Sequence, residues 1–91
     1  MLMTDTAVVE TLKQLEGWTR EDGMLGKTWT FETFPEALLF VNSVGYLAEQ
    51  QDHHPDIDIR WRKVILRLVT HSEGGITKKD IAMVRAIDGM G

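Results

Sequence analysis

The chain predicts a two-layer α+β fold in the order αββαββα, a four-stranded antiparallel sheet with helices packed on one face. Apolar residues recur at helical spacing in three stretches, near 5–15, 34–51 and 78–87. Between them lie two pairs of alternating or β-branched runs, and each pair is split by a reversal of hairpin length.

The first helix is expected over roughly residues 5 to 15, where Val8, Leu12 and Leu15 share one face and Gly17 marks the stop. Trp18-Thr19-Arg20 begins a strand, and Glu21-Asp22-Gly23 carries the Asp-Gly signal of a tight turn. On the return strand Leu25, Lys27, Trp29 and Phe31 share a face, opposite Thr28 and Thr30. Lys27 on that face places the start of this strand's core at Trp29.

Thr33-Phe34-Pro35-Glu36 reads as a capping box, and Pro35 in the first turn costs no helical hydrogen bond. The helix should run to about Gln51, with Ala37, Phe40, Val41, Val44, Leu47 and Ala48 on one stripe. Leu38, Gly45 and Tyr46 lie off that stripe and predict a second surface, facing a partner.

Two strands follow. Ile57, Ile59 and Trp61 alternate with Asp58 and Arg60, Arg62-Lys63 is the reversal, and Val64 to Thr70 is the return run. Beyond Gly74-Gly75, Thr77-Lys78-Lys79-Asp80 opens the last helix as a capping-box-like start, with Ile81, Val84 and Ile87 inside. Sheet edges left by this layout need cover, which points to oligomers.

At 91 residues the chain is expected to be one domain, 1–91, and its 43% hydrophobic and 26% charged residues suit a soluble globule. The formal charge of -4 argues against a nucleic-acid-binding face. With no cysteine, disulfides and thiolate metal sites are excluded. Met1-Leu2-Met3-Thr4-Asp5 shows no signal peptide, and no apolar run is long enough to span a membrane. A soluble cytoplasmic protein is the expectation.

The chemistry concentrates in histidine, whose unperturbed pKa of about 6.5 allows proton exchange near neutrality. His53 and His54 stand side by side at a helix exit, and His71 closes the next apolar run. A hairpin turning at 62–63 pairs positions summing to roughly 125, which sets His71 opposite about His54. In an extended segment the adjacent pair points to opposite sides, so the two rings take different tasks. Two imidazoles flanking one small substrate act as complementary acid and base. Two other readings stay open: surface histidines at strand ends, and a three-imidazole zinc site, for which the adjacent pair is poor geometry. Trp18, Trp29 and Trp61 read as core or interface residues, Glu49 as a solvated carboxylate.

Glu49, His53-His54-Pro55, Trp61, His71 and Asp80, at these separations, resemble the signature of pterin-4a-carbinolamine dehydratases. The match covers residues 49 to 80, about a third of the chain. The leading helix ending in Gly17-Trp18, Phe31, and Gly75-Ile76-Thr77 before the last helix are similar in layout. The resemblance implies an α+β fold and dehydration of 4a-hydroxytetrahydropterins to quinonoid dihydropterins, with no metal or cofactor. It implies His53, His54 and His71 as active-site residues, His53 and His71 for acid/base work and His54 mainly for binding the pterin. Asp52 and Trp18 match positions near the pterin pocket. Where family members commonly carry an acidic residue after the third histidine, this chain has Ser72, with Glu73 one further on. A homodimer or homotetramer is implied, with no direct contact to nucleic acid or membrane. Relatives also imply a second, protein-binding role, as a transcriptional cofactor or an enzyme assembly factor. A related pterin step, for instance in molybdopterin metabolism, is a weaker implication.

Overall fold

The computed structural model describes residues 1–90. Its elements are α1 (Asp5–Leu12), β1 (Thr19–Glu21), β2 (Met24–Thr30), α2 (Phe34–Gln51), β3 (Asp56–Arg60), β4 (Lys63–Leu68) and α3 (Lys78–Asp88), with a short 3₁₀ turn at His71–Glu73. The expected αββαββα order is therefore observed. The antiparallel sheet runs β1-β2-β4-β3, so the two hairpins meet along their second strands.

α1 stops at Leu12, short of the expected Leu15. Gln14 and Leu15 donate their N–H groups three residues back, to Thr11 and Leu12, and this tightening ends the helix. Leu15 is still buried, delivered to the core by the turn instead of by the helix. Gly17 then takes φ +83, a left-handed conformation open to glycine at little cost.

β1 and β2 close on Asp22-Gly23, with Glu21 opposite Met24 and both turn residues at positive φ, as a right-twisting hairpin requires. The core of β2 begins at Leu25, which is fully buried, and not at Trp29. Lys27 does not bar the apolar face, because its stem crosses it while Nζ reaches out to the Glu16 carbonyl, 3.1 Å away.

The second hairpin turns one residue earlier than expected. Arg60 pairs with Lys63, and Trp61-Arg62 forms the loop with Trp61 at φ 54. Asp56 rather than Asp58 consequently faces Arg67. The ladder of β4 ends at Leu68, and Thr70 bridges instead to Gly75. The expected placement of His71 opposite His54 is therefore not made by the ladder, since His71 lies beyond its end, in the 3₁₀ turn. Trp61, read as core or interface, is exposed at the loop, its ring 4.2 Å from the Arg62 guanidinium.

The core lies between the sheet and the helices. Leu25, Val64, Leu66 and Leu68 meet Ala37, Val44 and Ala48 of α2 and Ile81, Met83, Val84 and Ile87 of α3. Each of the buried valine, leucine, isoleucine and methionine side chains among these contributes about 1.5–3 kcal/mol. The opposite side of α2 exposes Leu38, Leu39 and Tyr46, and the outer strand β3 half-exposes Ile57 and Ile59. Among the described residues no helix is long and apolar enough to cross a membrane.

Candidate active site at the exit of α2

The exit of α2 is built by a backbone motif. Asp52 adopts a left-handed conformation (φ 48, ψ 44), its N–H meets the Glu49 carbonyl, and the His53 N–H meets that of Ala48. These paired bonds close a helix end, and aspartate tolerates the left-handed position better than most residues. Pro55, buried two residues on, cannot continue a helix and turns the chain into β3. His53 is thereby held by backbone geometry before its side chain makes any contact.

The His53 ring is nearly buried, with 12% of its side chain exposed, and its Nε2 lies 2.6 Å from Oδ1 of Asp80. Asp80 belongs to the first turn of α3 and is fully buried. Its Oδ2 accepts two hydrogen bonds, from Thr70 Oγ1 and the Thr77 backbone N–H, each 2.8 Å long. Thr77 caps the helix, its Oγ1 accepting from the Lys79 N–H, and Asp80 completes the capping box. A carboxylate stripped of water needs such donors, or its burial would cost several kcal/mol. Asp80 is thus both the expected cap and the partner of His53, a contact spanning 27 residues that local spacing does not reveal.

His54 turns the other way, as expected for adjacent residues. It is exposed, and its Nε2 lies 2.5 Å from Oε2 of Glu49, one turn back on α2. Glu49, read as a solvated carboxylate, is thus that histidine's exposed partner.

His71 opens the 3₁₀ turn and is exposed. The residue before it, Thr70, is the one whose hydroxyl binds Asp80. The chain of contacts His53–Asp80–Thr70 therefore ends at the peptide bond that carries His71. No hydrogen bond joins the three imidazoles to one another among the described residues. Nor is any group of three or more His, Asp or Glu placed to hold a metal ion among those residues.

Trp18 occupies a different region. It is 4% exposed, its indole N–H is shared between both oxygens of Asp88, and its ring meets Trp29 edge-on at 5.5 Å. Asp88 ends α3, so this cluster lies about 12 Å along the helix from Asp80. A cavity of about 360 Å³ opens beside it, lined by Lys27, Trp29, Phe40, Ser43 and Asp88 among others. Asp52 sits next to His53 in the helix-closing turn and is exposed.

Sequence reasoning passed over Thr70 altogether. The available signal was a threonine closing a largely apolar run immediately before a histidine, a polar group bound for burial that must find partners.

A family model for pterin 4 alpha carbinolamine dehydratase matches residues 1–90. A protein of Mycolicibacterium vanbaalenii with the name "Putative pterin-4-alpha-carbinolamine dehydratase" is 52% identical over 89 residues, covering 98% of this chain and 96% of its own. One with the same name from Roseiflexus sp. strain RS-1 is 49% identical over 86 residues, covering 94% and 92%. Among solved structures, a transcriptional coactivator/pterin dehydratase from Brucella melitensis superposes with a TM-score of 0.93 at 32% identity, covering 98% of this chain and 97% of its own. A pterin dehydratase-like RuBisCO assembly factor of the alpha-carboxysome shares the fold, with a TM-score of 0.64 at 20% identity over 79% of this chain and 83% of its own. By the family model over residues 1–90, the identity and coverage of these relatives and the shared fold, this chain belongs to the pterin-4-alpha-carbinolamine dehydratase family.

Proposed function

We propose that the chain is a 4a-hydroxytetrahydrobiopterin dehydratase, a hydro-lyase acting in tetrahydrobiopterin recycling. The observation that carries this reading is the His53–Asp80 pair, joined through Thr70 to the segment bearing His71. In the reaction the C4a–O bond breaks as its oxygen gains a proton and leaves as water. N5 loses its proton, and the freed electron pair forms the C4a–N5 double bond of the quinonoid product. The proton gained falls on the oxygen carried by C4a and the proton lost comes from N5, bonded to the same carbon, which suits two imidazoles working in complementary states.

His53 and His71 are the proposed acid/base pair, and His54 the residue that binds and orients the pterin. Asp52 is proposed as a further contact because it is exposed beside His53. Trp18 enters the substrate set on the resemblance alone, since its polar edge is committed to Asp88. The reaction as proposed uses no metal or cofactor, and a single domain carries it. General acid/base catalysis of this kind is worth roughly 10²–10⁴-fold. A stopped-flow assay with chemically generated 4a-hydroxytetrahydropterin tests the reading. The protein should accelerate quinonoid formation by an amount in that range, and a rate equal to the uncatalysed one would refute it.

A second reading is a protein-binding module, favoured by one observation. Leu39 and Tyr46 on the outer side of α2 are 66% and 75% exposed, more apolar surface than a lone helix face needs to present to water. The same surface serves the proposed homodimer or homotetramer. Affinity capture with wild type and Tyr46→Glu separates the uses: a partner lost in the variant supports a module, and recovery of this chain alone supports self-association.

A further inference from the structure

We infer that Thr70 is a positioning residue for the proposed dehydratase, holding Asp80 so that His53 exchanges protons with the substrate through Nδ1 alone. The inference rests on the dehydratase reading for its consequence, but on hydrogen-bond direction for its content.

The direction follows from counting protons. An ionised carboxylate only accepts, so the single hydroxyl proton of Thr70 points to Oδ2 of Asp80, 2.8 Å away. Thr70 Oγ1 also lies 2.7 Å from Thr77 Oγ1 in a buried setting. With its own proton spent, Thr70 must accept there, and Thr77 must donate. Thr77 Oγ1 is in turn free to accept from the Lys79 N–H, at 3.2 Å. The chain is therefore polarised in one sense, from the Lys79 amide through Thr77 and Thr70 to Asp80.

The far end of that chain sets the histidine. Oδ2 is filled by the Thr70 hydroxyl and the Thr77 N–H, which leaves Oδ1 to His53. An acceptor 2.6 Å from Nε2 requires a proton on Nε2 whether the ring is neutral or charged. The proton that comes and goes must then sit on Nδ1, which makes no hydrogen bond to the described residues.

Thr70 also sets the other histidine's segment through its backbone. Its carbonyl accepts from Glu73 and Gly74, both at 3.0 Å, and its N–H donates to Gly75 at 2.9 Å, closing the turn that begins with His71. One buried residue thus registers both proton-transfer segments, with its hydroxyl on the His53 side and its peptide group on the His71 side.

The test is side-chain ¹⁵N NMR of His53 in wild type, Thr70→Val and Thr70→Ser, with the pH profile of kcat for each. Wild type should show the Nε2–H tautomer. Thr70→Val keeps the shape but removes the hydroxyl; it should mix the tautomers, shift the pH profile and lower kcat about 10–100-fold at similar KM. Thr70→Ser should restore all three. A wild-type ring protonated mainly on Nδ1 overturns the inference even if no variant folds. So does a Thr70→Val protein with wild-type tautomer and profile, or one that loses rate without a tautomer change. If the tautomer shifts as stated but wild type itself dehydrates no pterin, the dehydratase reading falls and the positioning chain stands.

Discussion

His53 leaves the end of α2 and places its Nε2 2.6 Å from Oδ1 of Asp80, a fully buried carboxylate in the first turn of α3. The contact ties the exit of one helix to the start of another and gives Asp80 two tasks. It satisfies the amide of Thr77 as a cap, and it gives the His53 ring a fixed acceptor.

Asp80→Asn separates those tasks. An amide can still accept from the Thr77 N–H, but it then offers an N–H toward His53 and favours the wrong tautomer. Turnover should fall about 10²–10⁴-fold. Stability should fall by only about 1–2 kcal/mol, the scale of a weakened cap or hydrogen bond. Stopped-flow rates beside urea unfolding check both numbers, and equal proportional losses in activity and folded fraction would contradict the division.

The two adjacent histidines should behave differently. His53→Ala should lower kcat strongly, because it empties the ring nitrogen held by Asp80. His54→Ala should chiefly raise KM, since that ring is exposed and paired only with exposed Glu49. Steady-state kinetics of the two variants decide the matter, and matching effects on both parameters would count against separate roles.

Much of this layout was legible in the sequence. Helical stripes, the Asp22-Gly23 turn and the Thr33 and Thr77 caps mark elements through local periodicity and local hydrogen bonding. The second hairpin was misplaced by one residue because Trp61 adopts positive φ, which a large aromatic residue rarely does and nothing nearby signals. Lys27 misled for another reason: a residue's charge says nothing of where its stem lies. The candidate histidines were visible from their type and spacing. The Asp80 and Thr70 contacts that organise His53 were not, since they come from tertiary packing across three elements.

Gly17→Ala and Gly23→Ala make an informative pair. Both glycines have positive φ, +83 and +76, so each alanine should cost about 1–2 kcal/mol. At Gly23 an added Cβ meets nothing within 4 Å, whereas at Gly17 it lies 2.9 Å from Cε of Lys27. Gly17→Ala should therefore be the more destabilising in urea titration, by displacing the lysine from the Glu16 carbonyl.

The exposed side of α2 predicts association. Light scattering should give a mass of two or four chains for wild type. Leu39→Glu combined with Tyr46→Glu, both exposed in the single chain, should reduce it with an unchanged far-UV spectrum. A wild-type mass of one chain at all concentrations would exclude self-association through this face.

The most direct measurement is the rate of quinonoid dihydropterin formation from chemically generated 4a-hydroxytetrahydropterin, with wild type, His53→Ala and His71→Ala compared in one stopped-flow series. Catalysis by the histidine pair requires wild-type acceleration and a large loss in each variant, roughly 10²-fold or more. Three traces that coincide with the uncatalysed reaction, or a His71→Ala rate equal to wild type, would contradict it.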